Sequence, residues 1–317
     1  MISYIIRRSL IGILVVFGVV TLVFFSLQLA PGDPVSMLIP ADAGGAANED
    51  MVAAIRAKYG LDKPVMVQYL LYLKNLARLD LGRSIDTDRP VIEALIARYP
   101  ATLELTICGL LVAVLIAFPV GIVSAVRQNS VLDNVTRVLA LGGISVPSFW
   151  LGLLLMLLFS LKLRWLPASG RGGPLWTWEG IRHMIMPAVT LGAMASGILM
   201  RLTRSSMLEV LRTDYLNTAR AKGLAEKRVI FRHALRNALI PVITVLGLQV
   251  GTLLGGTVVI ETIFAWPGVG RYAIQGINGK DFPVVQGAVL ALAIGFVIVN
   301  ILVDVLYCVI DPRVTYD

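Results

Sequence analysis

Polar and apolar positions separate along this chain into long blocks. Six uncharged apolar runs stand out: Ser9–Ala30, Leu105–Val126, Val138–Leu161, Met184–Met200, Ala238–Ile260 and Phe282–Val303. A membrane-crossing helix needs about 20 apolar residues, and each run approaches or exceeds that. The fourth is the shortest, and Arg201 and Arg204 at its end can extend it by snorkelling to the interface. The first run follows Arg7-Arg8 and spans 22 residues. That is longer than the ~7–15 residues of a secretory h-region, and no A-x-A site follows it. The pattern predicts six retained spans. Pro119, Pro147 and Pro187 interrupt three of them and can kink them.

Between the first two runs lies a long, nearly neutral segment, Pro31–Glu104. Met51, Val52, Ile55 and Tyr59 recur there at helical spacing, as do Met66, Leu70, Leu73 and Ala77. Two or three short amphipathic helices are expected, serving either as a tether or as a docking or gating element.

Charge orients the spans. With the N-terminus inside, the inward segments carry 14 Lys/Arg and the two short outward loops carry 6. The positive-inside rule therefore puts both termini in the cytoplasm. Composition agrees with a membrane protein: 317 residues, 57% hydrophobic and 15% charged, where soluble domains have roughly a quarter charged. The net charge of +8 sorts by membrane side, so it points to topology and not to nucleic acid. Cys108 and Cys308 lie in apolar stretches and read as packing residues. No HExxH, GxSxG or GxxxxGK[ST] pattern occurs. The runs carry no central carboxylate of the kind that marks a proton relay.

The densest charge lies between the fourth and fifth runs. Arg201–Asn237 carries nine Lys/Arg against three acids. Within it, Asp214-Tyr-Leu-Asn-Thr-Ala-Arg-Ala-Lys-Gly223 reads as a short helix. Thr213 or Asp214 can cap its start, and Gly223 can end it in a left-handed turn. Ala219 and Ala221 are small enough to let a partner approach, with Arg220 and Lys222 at the rim. Arg228, Arg232 and Arg236 follow at four-residue spacing, and Pro241 is expected in the first turn of the fifth span. A structured cytoplasmic loop suggests a docking handle for a soluble partner. In the fifth span Gly247, Gly251 and Gly255 make a smooth face for close helix approach, within the chain or against a partner. Gln249 and Thr252 lie near it and can line a polar path.

Thr218-Ala-Arg-Ala-Lys-Gly223, followed by His233-Ala-Leu-Arg-Asn-Ala-Leu-Ile-Pro241, resembles the cytoplasmic coupling loop of ABC importer permeases. The dipeptide and oligopeptide branch is most similar. Asn217-Thr-Ala stands where the wider superfamily has Glu-Ala-Ala, and the gap to Pro241 is longer than in sugar permeases. Ala30-Pro-Gly-Asp-Pro34, Tyr59-Gly-Leu-Asp-Lys-Pro64, Gln68-Tyr69, Asp80-Leu-Gly82, Thr102-Leu-Glu-Leu105, Arg204–Val210, Glu261–Arg271 and Asp281–Gly287 resemble the same branch in order along the chain. The likeness is to the first of the two non-identical permeases of such systems.

The resemblance implies an all-α integral membrane protein of type I ABC importer permease architecture, with six transmembrane helices and a small helical extracytoplasmic segment. It implies a first helix plus outer segment over 1–100, a five-helix permease core over 101–310 and a cytoplasmic tail over 311–317. It further implies a non-catalytic subunit of the bacterial cytoplasmic (inner) membrane with no cofactor of its own. The partners would be a second, homologous permease, two ATP-binding subunits carrying ATP and magnesium, and an extracytoplasmic solute-binding protein. Asp214, Asn217, Thr218, Ala219, Arg220, Ala221, Lys222 and Gly223 would couple to the ATPase. Glu261, Trp266, Pro267 and Arg271 would belong to an outer loop or gate. Short peptides are the expected cargo, with glutathione or nickel chelates as alternatives. A secondary carrier would need intramembrane ion ligands or an inverted repeat, and neither is evident.

Overall fold

The computed structural model describes the backbone of residues 2–29, 53, 56–57 and 62–310, with side chains from 6 to 305 within those ranges. The Ala30–Pro34 signature, the Met51–Tyr59 periodicity and the 311–317 tail lie outside the described residues. Ten continuous helices lie among the described residues: α1 Ile2–Leu29, α2 Val65–Leu76, α3 Val91–Val126, α4 Val131–Ser145, α5 Ser148–Lys162, α6 Trp178–Leu211, α7 Asp214–Ala221, α8 Glu226–Ile263, α9 Val269–Asn278 and α10 Phe282–Ile310. Five of these, α1, α3, α6, α8 and α10, are long and apolar enough to cross a membrane singly, and α4 with α5 forms a bent pair that passes together.

The expected third span is thus broken. Its halves meet at 105° around Pro147. Proline has no N–H for the helical ladder and pushes the preceding residue out of the helical region. Val146 accordingly lies at φ −81°, ψ 123°. Pro119 and Pro187 sit inside continuous helices. So does Pro241, expected at a helix start, because α8 begins 15 residues earlier in the basic segment and passes through π-helical turns at Val229–Ala234.

The chain divides into two compact units. One comprises Met1–Ile5, Thr102–Trp266 and Ile298–Asp317, the other Ile6–Ala101 and Pro267–Val297. The first is organised on α6. The α4–α5 pair contacts it in reverse order, with Asp133 opposite Arg204, Ala140 opposite Gly197 and Gly152 opposite Thr190. A Cβ on Gly197 would lie 2.7 Å from the Ala140 carbonyl oxygen, and one on Gly192 only 2.5 Å from that of Gly109. These glycines let backbones touch. Trp165, Trp176 and Trp178, at the loop before α6, are exposed, as befits an aromatic belt at a membrane surface.

In the second unit α2 packs on α1. Tyr69 shares a 2.8 Å hydrogen bond with Thr21, Gln28 donates to Gln68 at 3.0 Å, and Tyr72 stacks on Phe24. The anticipated apolar stripe is not the packed face, since Met66 and Leu70 are exposed. Tyrosines and a glutamine reach the partner helix instead. Asp281 caps α10, accepting from the Val284 N–H, and also holds the 83–90 turn by accepting from Ser84 Oγ at 2.6 Å.

Candidate functional site

Helix α7 has two unlike faces. Leu216 and Ala219, three residues apart, point inward and are buried with Met207, Val229, Ile230, Ala234 and Ala238. Asp214, Asn217, Thr218, Ala221 and Lys222 face outward. Ala219, expected on the approach surface, is therefore a core residue of this chain. Only Ala221 remains as the small residue on the outer face.

The caps differ in the same instructive way. Thr213 precedes the helix, but its hydroxyl donates back to the Val210 carbonyl at 2.5 Å and caps nothing. Asp214 instead places its carboxylate in the first turn, where it meets the positive end of the helix dipole. At the far end Gly223 takes φ +76°. Its N–H donates to Arg220 O at 2.9 Å, and that of Leu224 donates to Ala219 O at 3.4 Å. The pair satisfies the last carbonyls as a Schellman closure does, and Leu224 covers the same apolar cluster.

Two polar clasps then fix α7 to α8. Arg220 donates to both oxygens of Glu226 at 3.2 and 3.0 Å and to Asn217 Oδ1 at 3.2 Å. It is tied across the turn, not a free rim charge, and the bond to Glu226 raises its pKa further. Tyr215 accepts from Asn237 Nδ2 at 2.7 Å and donates to the His233 carbonyl at 3.3 Å. Arg228, Arg232 and Arg236 stay exposed.

Close to this region lies a charge pair whose members are 71 positions apart and unmarked by any shared motif. Asp133 is fully buried. Its carboxylate accepts from Arg204 Nε at 2.7 Å and a terminal nitrogen at 2.9 Å, from Ser124 Oγ at 2.6 Å and from the Asn129 N–H at 2.9 Å. Four donors saturate the carboxylate, which is what makes a buried charge tolerable. Arg204 does not snorkel; it pins the end of α6 to α4. The local signal was Ser130-x-x-Asp133, a capping-box spacing whose serine accepts from the Asp133 N–H.

On α8 the glycine stripe divides. Gly247 is closed off by Val303 of α10, 2.1 Å from where a Cβ would stand, whereas Gly255 has nothing within 4 Å. Gly251 and Gln249 are buried in the chain. The exposed line is Leu248, Thr252, Gly255, Val259 and Thr262, at spacings of four and three. Thr252 and Thr262 donate to their own i−4 carbonyls, so the face offers oxygen lone pairs and a bare backbone. At the far end of α8, Glu261 and Trp266 are fully buried. Glu261 accepts from Thr102 Oγ1 at 2.6 Å, and the Trp266 N–H donates to the Glu261 carbonyl at 2.8 Å. These two residues, expected in a loop or gate, are core of the first unit. Pro267 and Arg271 belong to the second unit, where Pro267 is exposed.

Residues 117–316 match the family described as binding-protein-dependent transport system inner membrane component, and residues 1–106 match its N-terminal companion. The chain belongs to that family. Among members of this inner membrane component family, it is 44% identical over its full length to the whole of a dipeptide transport system permease, DppB, of Alkalihalophilus pseudofirmus. It is 43% identical to DppB of Escherichia coli K12, covering 100% of this chain and 99% of that one. It is also 42% identical to a glutathione transport system permease, GsiC, of Salmonella choleraesuis, with both chains fully covered. A chain of the MetNI methionine ABC transporter, solved in inward-facing conformations, shares the fold. Its TM-score is 0.57 at 18% identity, over 69% of this chain and 97% of that one. This inner membrane component is a multi-pass, non-catalytic permease subunit that works with an ATPase and a solute-binding protein. Its likeness is to the DppB type, the first of the paired permeases.

Proposed function

We propose that this chain moves di- or oligopeptides inward as half of a permease heterodimer. The other half is a second, homologous permease. Two ATP-binding subunits attach on the cytoplasmic side and a solute-binding protein delivers cargo outside. Both termini are cytoplasmic, in keeping with the basic loops. The observation that carries the peptide reading is the end-to-end similarity to DppB permeases. The glutathione permease at 42% identity keeps a glutathione cargo as the second reading.

Helix α7 is the ATPase-coupling element. Its outer face (Asp214, Asn217, Thr218, Ala221, Lys222) meets the ATPase. Leu216, Ala219 and the Arg220–Glu226 clasp pass any displacement to α8. Gly223 sets the turn. The Leu248–Thr252–Gly255–Val259–Thr262 face of α8 lines the translocation path or the partner permease. Closure of the ATPases on ATP draws the coupling helices together and opens the permease pair outward, and hydrolysis resets it. Each state must have its own set of contacts for that switch to work.

The test is Ala221→Glu in the purified assembly. Transport should fall at least about tenfold, the size of one lost docking contact of ~1.4 kcal/mol or more, while the permease pair stays associated and its Tm is unchanged. Normal transport with the ATPases still bound would remove α7 from the coupling role. Mass analysis of the ligand carried by the binding protein decides between peptide and glutathione.

A further inference from the structure

The tight α4–α6 contact at Gly197 does not continue to the charged end of the two helices. Beyond it they part around a cavity of about 290 Å³. Its polar side holds Arg137, Arg201, Arg204 and Ser205, and its apolar side includes Leu141 and Ile144. Arg204 is committed to Asp133, and Arg137 lies 3.9 Å from the same carboxylate and donates to Asn134. Arg201 is exposed and has no ion-pair or hydrogen-bond partner among the described residues. Three arginines therefore line a cavity beside one buried carboxylate, and the site keeps an excess of positive charge.

Its position is as informative as its charge. Arg201 follows directly on the apolar run of α6, and Arg137 directly precedes that of α4. The outward side of α4 next to the cavity is apolar and exposed at Val138, Leu139 and Leu141. A ligand filling this notch needs an anionic head for the arginines and a hydrocarbon body for the neighbouring wall. Soluble phosphate offers only the first and a neutral lipid only the second. We propose that the α4–α6 notch binds the phosphodiester headgroup of an anionic phospholipid, with an acyl chain along the exposed face of α4. Basic pockets at the ends of spans are suited to such headgroups, and the planar guanidinium matches phosphate geometry.

The test uses the whole transporter assembly, purified in mild detergent and examined by native mass spectrometry after exposure to mixed phosphatidylglycerol and phosphatidylethanolamine micelles. Wild type should retain phosphatidylglycerol in preference. Arg137→Gln with Arg201→Gln should lower that retention about tenfold, as expected for losing charge-assisted bonds, and leave phosphatidylethanolamine unchanged. Arg212→Gln, an exposed arginine outside the notch, should behave as wild type. Equal retention in wild type and the double variant would overturn the proposal. So would full displacement by millimolar inorganic phosphate, which would make the site a simple anion site. A cross-link from residue 201 to the partner permease, with no lipid retained, would show the notch to be a protein interface instead. The readout is lipid mass, so it is independent of transport and of the peptide reading.

Discussion

Helices α1 and α6 are both membrane-length, yet they are built on opposite principles. The most apolar stretch of α1 is 17% buried within the chain, and that of α6 is 61% buried. The greasier helix is the more exposed one. Helix α1 presents Leu10, Ile13, Leu14 and Leu22 outward. Helix α6 buries Thr190 and Ser196 among its glycines and methionines, their hydroxyls donating to the Met186 and Ala193 carbonyls. In water the core is apolar because water is not. In a bilayer the surroundings are already apolar, so burial is won by close backbones and satisfied hydroxyls. Hydropathy alone therefore marks the lipid-facing helices, while small and weakly polar residues mark the centre.

The sharpest break of this contrast is at Arg204. Arg204→Met leaves Asp133 buried without its partner and should cost about 3–5 kcal/mol. Thermal unfolding of the detergent-solubilised assembly would register it, and Asp133→Leu added to Arg204→Met should recover most of the loss. If the single and double variants were equally unstable, the pair would not be what pins α6. A smaller effect is expected from backbone contact. Gly197→Val should cost about 1–3 kcal/mol by overpacking, whereas Gly18→Val in α1, with nothing within 4 Å of the added carbon, should change the midpoint little. Least of all is expected from leucine deletion on the exposed side. Leu199→Ala removes a fully buried side chain of α6 and should cost about 2 kcal/mol in cavity and dispersion terms. Leu22→Ala, at 70% exposure in α1, should stay within about 0.5 kcal/mol. Equal losses at the two leucines would mean that α1 is covered by a partner in the assembly.

Much of this was legible in the order of residues. The six apolar runs, the short helix before Gly223 and the interruption at Pro147 follow from local chemistry. What was hidden is tertiary. Asp133 and Arg204 are 71 positions apart, and nothing near either one names the other. The inward turn of Ala219 depends on Leu216, and eight residues give too few repeats for periodicity to set a face. The division of the glycine stripe rests on Val303, which belongs to another span. Helix ends also outran hydropathy. Helices α3 and α8 begin well before their apolar runs, at Val91 and Glu226, because a helix can continue through polar sequence once packing supports it.

The clasped turn at Gly223 has a mechanical consequence. Helix α8 is continuous for 38 residues, a rod of roughly 57 Å at 1.5 Å per residue. Helix α7 is fastened to its foot by an apolar plug, a closed cap and two polar clasps, so the joint has little slack in which a push could be lost. A lever of that length amplifies: a tilt of roughly 5° at the foot swings the head by about 5 Å. The head of that lever carries Glu261, so a rotation at the basic end, carried rigidly, would displace the opposite end of the same unit by several ångströms.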